Sequence, residues 1–181
     1  MPIKPATSKG TRDFSSEELA KRNHLKNILQ KAFECFGFSP IETPTFERLE
    51  TLTGVYGEEG DRLVFKILNS GDKIKKADTE ALFQGENQKF IRSVSEKALR
   101  YDLTVPFARY VVQHRNEINF PFKRYQCQPV WRADRPQKGR FRQFHQVGVE
   151  YLGFEEGISE YELISMVLQI NKLIGISDYT I

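Results

Sequence analysis

No apolar run in these 181 residues approaches the ~18 that a membrane-crossing helix needs. The N-terminal stretch MPIKPATSKGTRDF lacks the apolar core of a secretory signal. Cysteine is scarce: Cys35 and Cys127 stand far apart without a partner motif. That excludes a disulfide framework and predicts two reduced thiols, in or near a core, in a cytoplasmic protein. The three histidines, His24, His114 and His145, have no companions at metal-ligand spacing, so no protein-held metal is expected. Neither a Walker loop nor a GxGxxG following a strand is present. There is no internal repeat and no low-complexity tract. What remains is 39% hydrophobic and 28% charged, a globular composition with room for one domain, or one plus part of a second.

Net positive charge is concentrated in one place. Residues 122–142 hold Lys123, Arg124, Arg132, Arg135, Lys138, Arg140 and Arg142 against a single acid, Asp134. The segment is therefore +6 in a chain of net charge +3, and everything outside it sums to about −3. A cluster of this kind suits a surface that meets a polyanion.

Periodicity supplies the elements. Ser15 and Glu18 form a capping box that opens a first helix, and Leu25, Ile28, Leu29, Ala32, Phe33 and Phe36 give it one apolar face before Gly37 stops it. SPIETPTFE reads as extended, with Pro44 restricting it to an edge or a subunit contact. DRLVFKILN (61–69) alternates as a strand ending in a hairpin-like turn at 69–72. The polar stretch that follows, through Asn87, reads as a solvated excursion. A helix is predicted from Thr104 to about His114, with Pro106 in its first turn. Two strands joined by the basic loop come next. Ser159 and Glu162 suggest a second capping box, on a helix whose apolar face is Leu163, Met166, Val167, Ile170 and Leu173 and which Gly175 ends. ISDYTI then begins a further strand, so the chain reads as the N-terminal part of something longer.

Taken as a strand, residues 140–151 divide at period two. Arg142, Phe144, Gln146, Gly148 and Glu150 share one face. Phe141, Gln143, His145, Val147, Val149 and Tyr151 share the other, mostly apolar face, where His145 is expected to be a hydrogen-bonded core residue. On the first face Gln146 and Glu150 flank Gly148, ~13 Å apart at the strand rise. A glycine there leaves open floor for a ligand. Arg132 and Arg142 suit an anion at one end and Glu150 a cation at the other, an arrangement fitted to a zwitterion beside a phosphate.

Four segments carry a resemblance. KGTRDF (9–14), GFSPIETPTFE (37–47), LRYDLTVPFARY (99–110) and VWRADRPQKGRFRQFHQVGVEYLG (130–153) resemble the signature, motif 1, amino-acid-contacting segment and motif 2 of the class II histidyl-tRNA synthetases. The resemblance covers nearly the whole chain, 1–181. It implies an α+β fold: an antiparallel sheet of six or seven strands flanked by helices, homodimeric through the motif 1 region around Pro44. It implies ATP, histidine and tRNA(His) as partners, Mg2+ on the nucleotide, and no membrane. By resemblance Arg132 is catalytic and binds the α-phosphate, Arg140 meets the γ-phosphate and Asp134 lies near adenine. Asp102, Thr104, Gln146 and Glu150 bind histidine, and Arg135 and Lys138 lie near the tRNA. Asp102 stands where many bacterial members carry a longer glutamate. Motif 3, the second histidine-binding block and an anticodon-binding domain are not found within the chain, which alone is expected to be inactive. The alternative function is a synthetase-like regulatory subunit of histidine biosynthesis, or a tRNA-sensing pseudoenzyme.

Overall fold

The computed structural model describes residues 4–154 and 157–180, without the side chains of 58 and 59. In chain order the elements are α1 (Ser16–Cys35), β1 (Ser39–Pro40), β2 (Phe46–Arg48), α2 (Leu49–Leu52), α3 (Gly57–Leu63), β3 (Lys66–Ile67), a 3-10 turn over Gly71–Lys76, α4 (Thr79–Phe83), α5 (Asn87–Val94), β4 (Lys97–Leu99), α6 (Thr104–Gln113), β5 (Phe122–Trp131), β6 (Gln143–Leu152) and α7 (Ile158–Ile174). The α+β class is as expected. The six described strands are divided, however, between two three-stranded sheets ordered β1-β5-β6 and β2-β4-β3, and β1 runs parallel to β5. Two prolines account for part of the division, because β1 stops at Pro40 and Pro44 interrupts the extended run before β2.

The chain forms two compact units. The first comprises Thr43–Gln113 and Pro129–Gln146 with the N-terminal residues up to Thr11. Its core is Leu49, Leu52, Val64 and Ala98, with Tyr56, Tyr101 and Val105 packed against them. Arg100 is almost wholly buried here and donates to the carbonyls of Thr43 (2.6 Å), Pro44 (3.2 Å) and Pro129 (2.8 Å). Pro44 itself is exposed. Arg109 of α6 grips Glu47 of β2 through two hydrogen bonds, at 2.6 and 3.1 Å.

The second unit comprises Arg12–Glu42, His114–Gln128 and the described part of Val147–Ile181. Phe33, Phe38, Tyr125 and Met166 form its core, where α1 and α7 pack together. The Ser15–Glu18 capping box is formed in both directions (2.9 and 3.2 Å). Lys123 donates to both oxygens of Glu162 (2.7 and 2.6 Å), and the Tyr151 hydroxyl adds a third bond at 2.8 Å. Partial burial pushes the Glu162 carboxyl up, but these hydrogen bonds and the Lys123 charge outweigh it and leave it below the usual range.

Tyr125 donates to Glu34 at 2.8 Å, and burial, then that carboxylate, pushes its phenol up to about 12. A raised phenol pKa favours the fold only while the group is protonated. Its contribution is complete below pH ~10, the unfolded value, and is lost as pH rises through about 12. Thermal unfolding followed between pH 9 and pH 12 is expected to show a smaller alkaline drop in Tyr125→Phe than in the unaltered chain; equal drops would remove Tyr125 as the cause.

Several sequence expectations are corrected. Residues 61–69 form a strand only at Lys66–Ile67, because α3 runs to Leu63 with the Asp61 carboxylate bonded back to the Gly54 N–H at 3.0 Å. The turn at 69–72 leads into the 3-10 segment, and β3 pairs with β4 instead of with the next stretch. The polar excursion contains α4 and α5, the former capped by Asp78 on the Ala81 N–H (3.0 Å). At α7 the reach-back comes from Glu160 to the Gly157 N–H (2.5 Å), two residues earlier than Ser159 and Glu162 suggest, which frees Glu162 for Lys123. Leu25, Val167 and Leu173 of the predicted apolar faces are exposed, as is Cys35; Cys127 is half-buried. Residues 176–180 form no strand, and Ile181 lies outside the described residues. No described helix is long and apolar enough to cross a membrane.

Candidate active site

The basic loop connects β5 to β6. The Arg132 N–H still donates to the Arg142 carbonyl (2.9 Å), so the stem of the hairpin extends one residue past β5. The Arg132 side chain is fixed at its root. Its Nε donates to the Tyr101 carbonyl at 3.1 Å, and its guanidinium lies 4.3 Å from the Tyr101 ring centre and 5.2 Å from that of Phe144. Both terminal nitrogens, Nη1 and Nη2, are left without a hydrogen bond to the described residues. This is a rigid fork with its tines open, suited to two oxygens of one anion.

Beyond it, the Arg142 Nε donates to the Asp134 carbonyl (3.0 Å) and the Arg142 N–H to the Gly10 carbonyl (2.7 Å). Gly10 has φ +84, and a Cβ there would come within 2.8 Å of the Arg142 side chain. Arg142 thereby anchors the loop through its Nε and its backbone N–H. At the tip, Gln137 and Arg140 bridge across Lys138 and Gly139, whose φ of +80 the turn requires. Arg135, Lys138 and Arg140 are exposed and enter no ion pair among the described residues.

Tyr101 joins this anion end to a carboxylate. Its neighbour Asp102 accepts from the Val105 N–H in the first turn of α6 (3.2 Å) and from the Tyr56 hydroxyl (2.8 Å), both at Oδ1. Oδ2 has no partner among the described residues. Burial, then the bond to Asp102, holds the Tyr56 phenol far above its usual range. Thr104 stands exposed at the first position of α6.

On β6 the alternation is real, but the strand begins at Gln143 and not at 140. Phe144, Gln146, Gly148 and Glu150 are the half-buried set, while Gln143, His145 and Val147 are exposed; only Val149 and Tyr151 of that face reach a core. His145 is thus not a core histidine: it lies on the part of the face that no core covers. A Cβ on Gly148 would meet nothing within 4 Å, so the floor is open as expected. The Gln146 Oε1 is buried without a hydrogen-bond partner.

Glu150 departs most from the sequence reading. It is bonded at 2.7 Å to Nη2 of Arg124, whose side chain is fully buried. Arg124 is followed at period two by Gln126 and Gln128, also buried and bonded to each other at 2.9 Å. Counting charge had placed Lys123 and Arg124 in the polyanion surface; both are spent on acids of their own unit. Reading β5 at period two would have found the Arg-x-Gln-x-Gln row. Among the described residues, no three His, Cys, Asp or Glu side chains gather as a metal site.

A family model described as Histidyl-tRNA synthetase matches residues 10–75 and 79–181. The chain belongs to the histidyl-tRNA synthetase family. It is 60% identical over all 181 residues to the histidine–tRNA ligase of Christiangramia forsetii and 55% identical over 173 residues to that of Porphyromonas gingivalis. It spans about 40% of the length of these curated relatives (40% and 38%). Among solved structures it is similar to the histidyl-tRNA synthetase of Nostoc sp. PCC 7120, with TM-score 0.73 and 27% identity over 96% of this chain and 35% of that one. It is equally similar to a Bacillus halodurans protein titled ATP phosphoribosyltransferase regulatory subunit/histidyl-tRNA synthetase, with TM-score 0.74 and 25% identity over 98% of this chain and 40% of that one. The histidyl-tRNA synthetase likeness places the α+β architecture in the class II synthetase fold.

Proposed function

We propose that the protein containing this chain is a cytoplasmic, homodimeric histidine–tRNA ligase. The observation that carries the reading is the pairing, through Tyr101, of the open Arg132 fork with the open Asp102 oxygen. A phosphate or carboxylate needs the first and an ammonium the second; an amino acid reacting with ATP offers both. Arg132 binds the ATP α-phosphate and the histidine carboxylate, Arg140 the γ-phosphate, and Asp134 lies near adenine. Asp102 and Thr104 take the α-amino group, Gln146 the carboxylate side, and Glu150, steadied by Arg124, the imidazole. Mg2+ enters with the nucleotide, on its phosphate oxygens.

The carboxylate oxygen attacks the α-phosphorus, the bond to the pyrophosphate oxygen breaks, and histidyl-adenylate forms. The ribose hydroxyl of tRNA(His) then attacks the activated carbonyl and AMP leaves. This chain contributes position and charge instead of a nucleophile. Dimerisation uses the segment around Pro44.

The likeness to the Bacillus halodurans protein keeps a regulatory reading in play. Histidine-dependent ATP–pyrophosphate exchange by the full-length protein tests the ligase. Exchange together with tRNA binding that weakens with salt supports it; histidine binding without either supports the regulator. With Arg135 and Lys138 as the exposed loop cations near the tRNA, their joint neutralisation is expected to flatten the salt dependence by about 1.5 in the log–log slope.

A further inference from the structure

We infer that Tyr56 is a positioning residue that aims Asp102 at the α-amino group of the bound amino acid. The inference rests on the proposed role of Asp102. An aspartate is short, and its carboxylate turns about two side-chain bonds. Here both donors that reach it, the Tyr56 hydroxyl (2.8 Å) and the Val105 N–H (3.2 Å), end on the same oxygen, Oδ1. That leaves Oδ2 as the one acceptor presented outward, in a direction two hydrogen bonds determine. Neither donor alone does so: the backbone bond fixes a point, and the second fixes the plane.

Tyr56 is in turn held from behind. Its ring lies 4.7 Å from that of Tyr101, the residue whose ring and carbonyl hold Arg132. One aromatic pair thus sets the acceptor for the ammonium and the donor fork for the anion, so the spacing of the two ends is fixed before a ligand arrives. Tyr56 lies 46 positions from Asp102 in sequence, in a stretch that none of the family-like motifs covers. A hydroxyl that merely satisfied itself on the nearest acceptor would matter for stability and not for which ligand binds.

Tyr56→Phe keeps the ring and removes only the hydroxyl. In the full-length protein, the dissociation constants of histidine and of imidazolepropionate, its analogue without the amino group, are measured by titration calorimetry. Histidine affinity is expected to fall about tenfold and the analogue's to stay within about twofold, so that the preference for the amine collapses; the KM for ATP stays unchanged. Asp102→Ala is measured alongside. If Asp102→Ala abolishes the preference and Tyr56→Phe leaves it intact, the inference about Tyr56 is overturned while the role of Asp102 stands. If both variants keep the preference, the amine is bound elsewhere and both fall. A parallel loss of affinity for both ligands in Tyr56→Phe makes the residue structural and overturns the inference as well.

Discussion

Arg132→Ala in the full-length protein is expected to lower histidine-dependent ATP–pyrophosphate exchange by about 100-fold or more, the usual effect of deleting a donor aimed at transition-state charge. The local geometry separates this loss from damage to the fold. The only side-chain hydrogen bond given up is Nε to the Tyr101 carbonyl, and the terminal nitrogens hold nothing among the described residues. The stability cost is therefore of the order of one ordinary hydrogen bond, about 1 kcal/mol, plus the stacking on Tyr101. Arg132→Lys keeps the charge and loses the fork, so it should recover little of the rate. Undiminished exchange in Arg132→Ala would remove Arg132 from the reaction.

The second large effect is on stability. Arg124→Ala strands the Glu150 carboxylate beside a fully buried site it had shared with a guanidinium. Losing one partner of a buried pair costs ~3–5 kcal/mol, and with the Glu150 side chain 30% exposed the low end, ~3 kcal/mol, is expected. Arg124→Met combined with Glu150→Gln removes both charges at similar volume and should restore most of that loss in urea unfolding. If the double variant is no more stable than Arg124→Ala, the charge imbalance is not the cause. The double variant should also lose histidine binding, because Glu150 is proposed to hold the imidazole.

The two predictions rest on residues that were not equally legible in the sequence. Arg132 is legible as a candidate because a loop arginine beside aromatic strand residues suits bidentate contact with an anion. Arg124 is not legible from charge, because a net charge does not say which way a side chain points and only alternation along β5 does. The open space over Gly148 is legible for the same reason: period two decides a face and a glycine leaves it open. His145 is exposed although its face is mostly apolar, because cover depends on what packs there and not on the face's composition. The run at 61–69 alternates like a strand but lost to Asp61, whose bond to Gly54 favours α3. The link from Tyr56 to Asp102 joins residues 46 positions apart, and no local pattern announces such a bond.

Arg100 has a consequence for how the first unit comes apart. A guanidinium that has shed its water among the carbonyls of Thr43, Pro44 and Pro129 has no stable half-docked state. Those acceptors lie up to 57 positions from it, on both sides in sequence. Early and late stretches of the chain must therefore let go together. Hydrogen exchange at the amides around Thr43 and around Trp131 should then proceed through one shared opening event, with a common free energy, and not as two independent frayings.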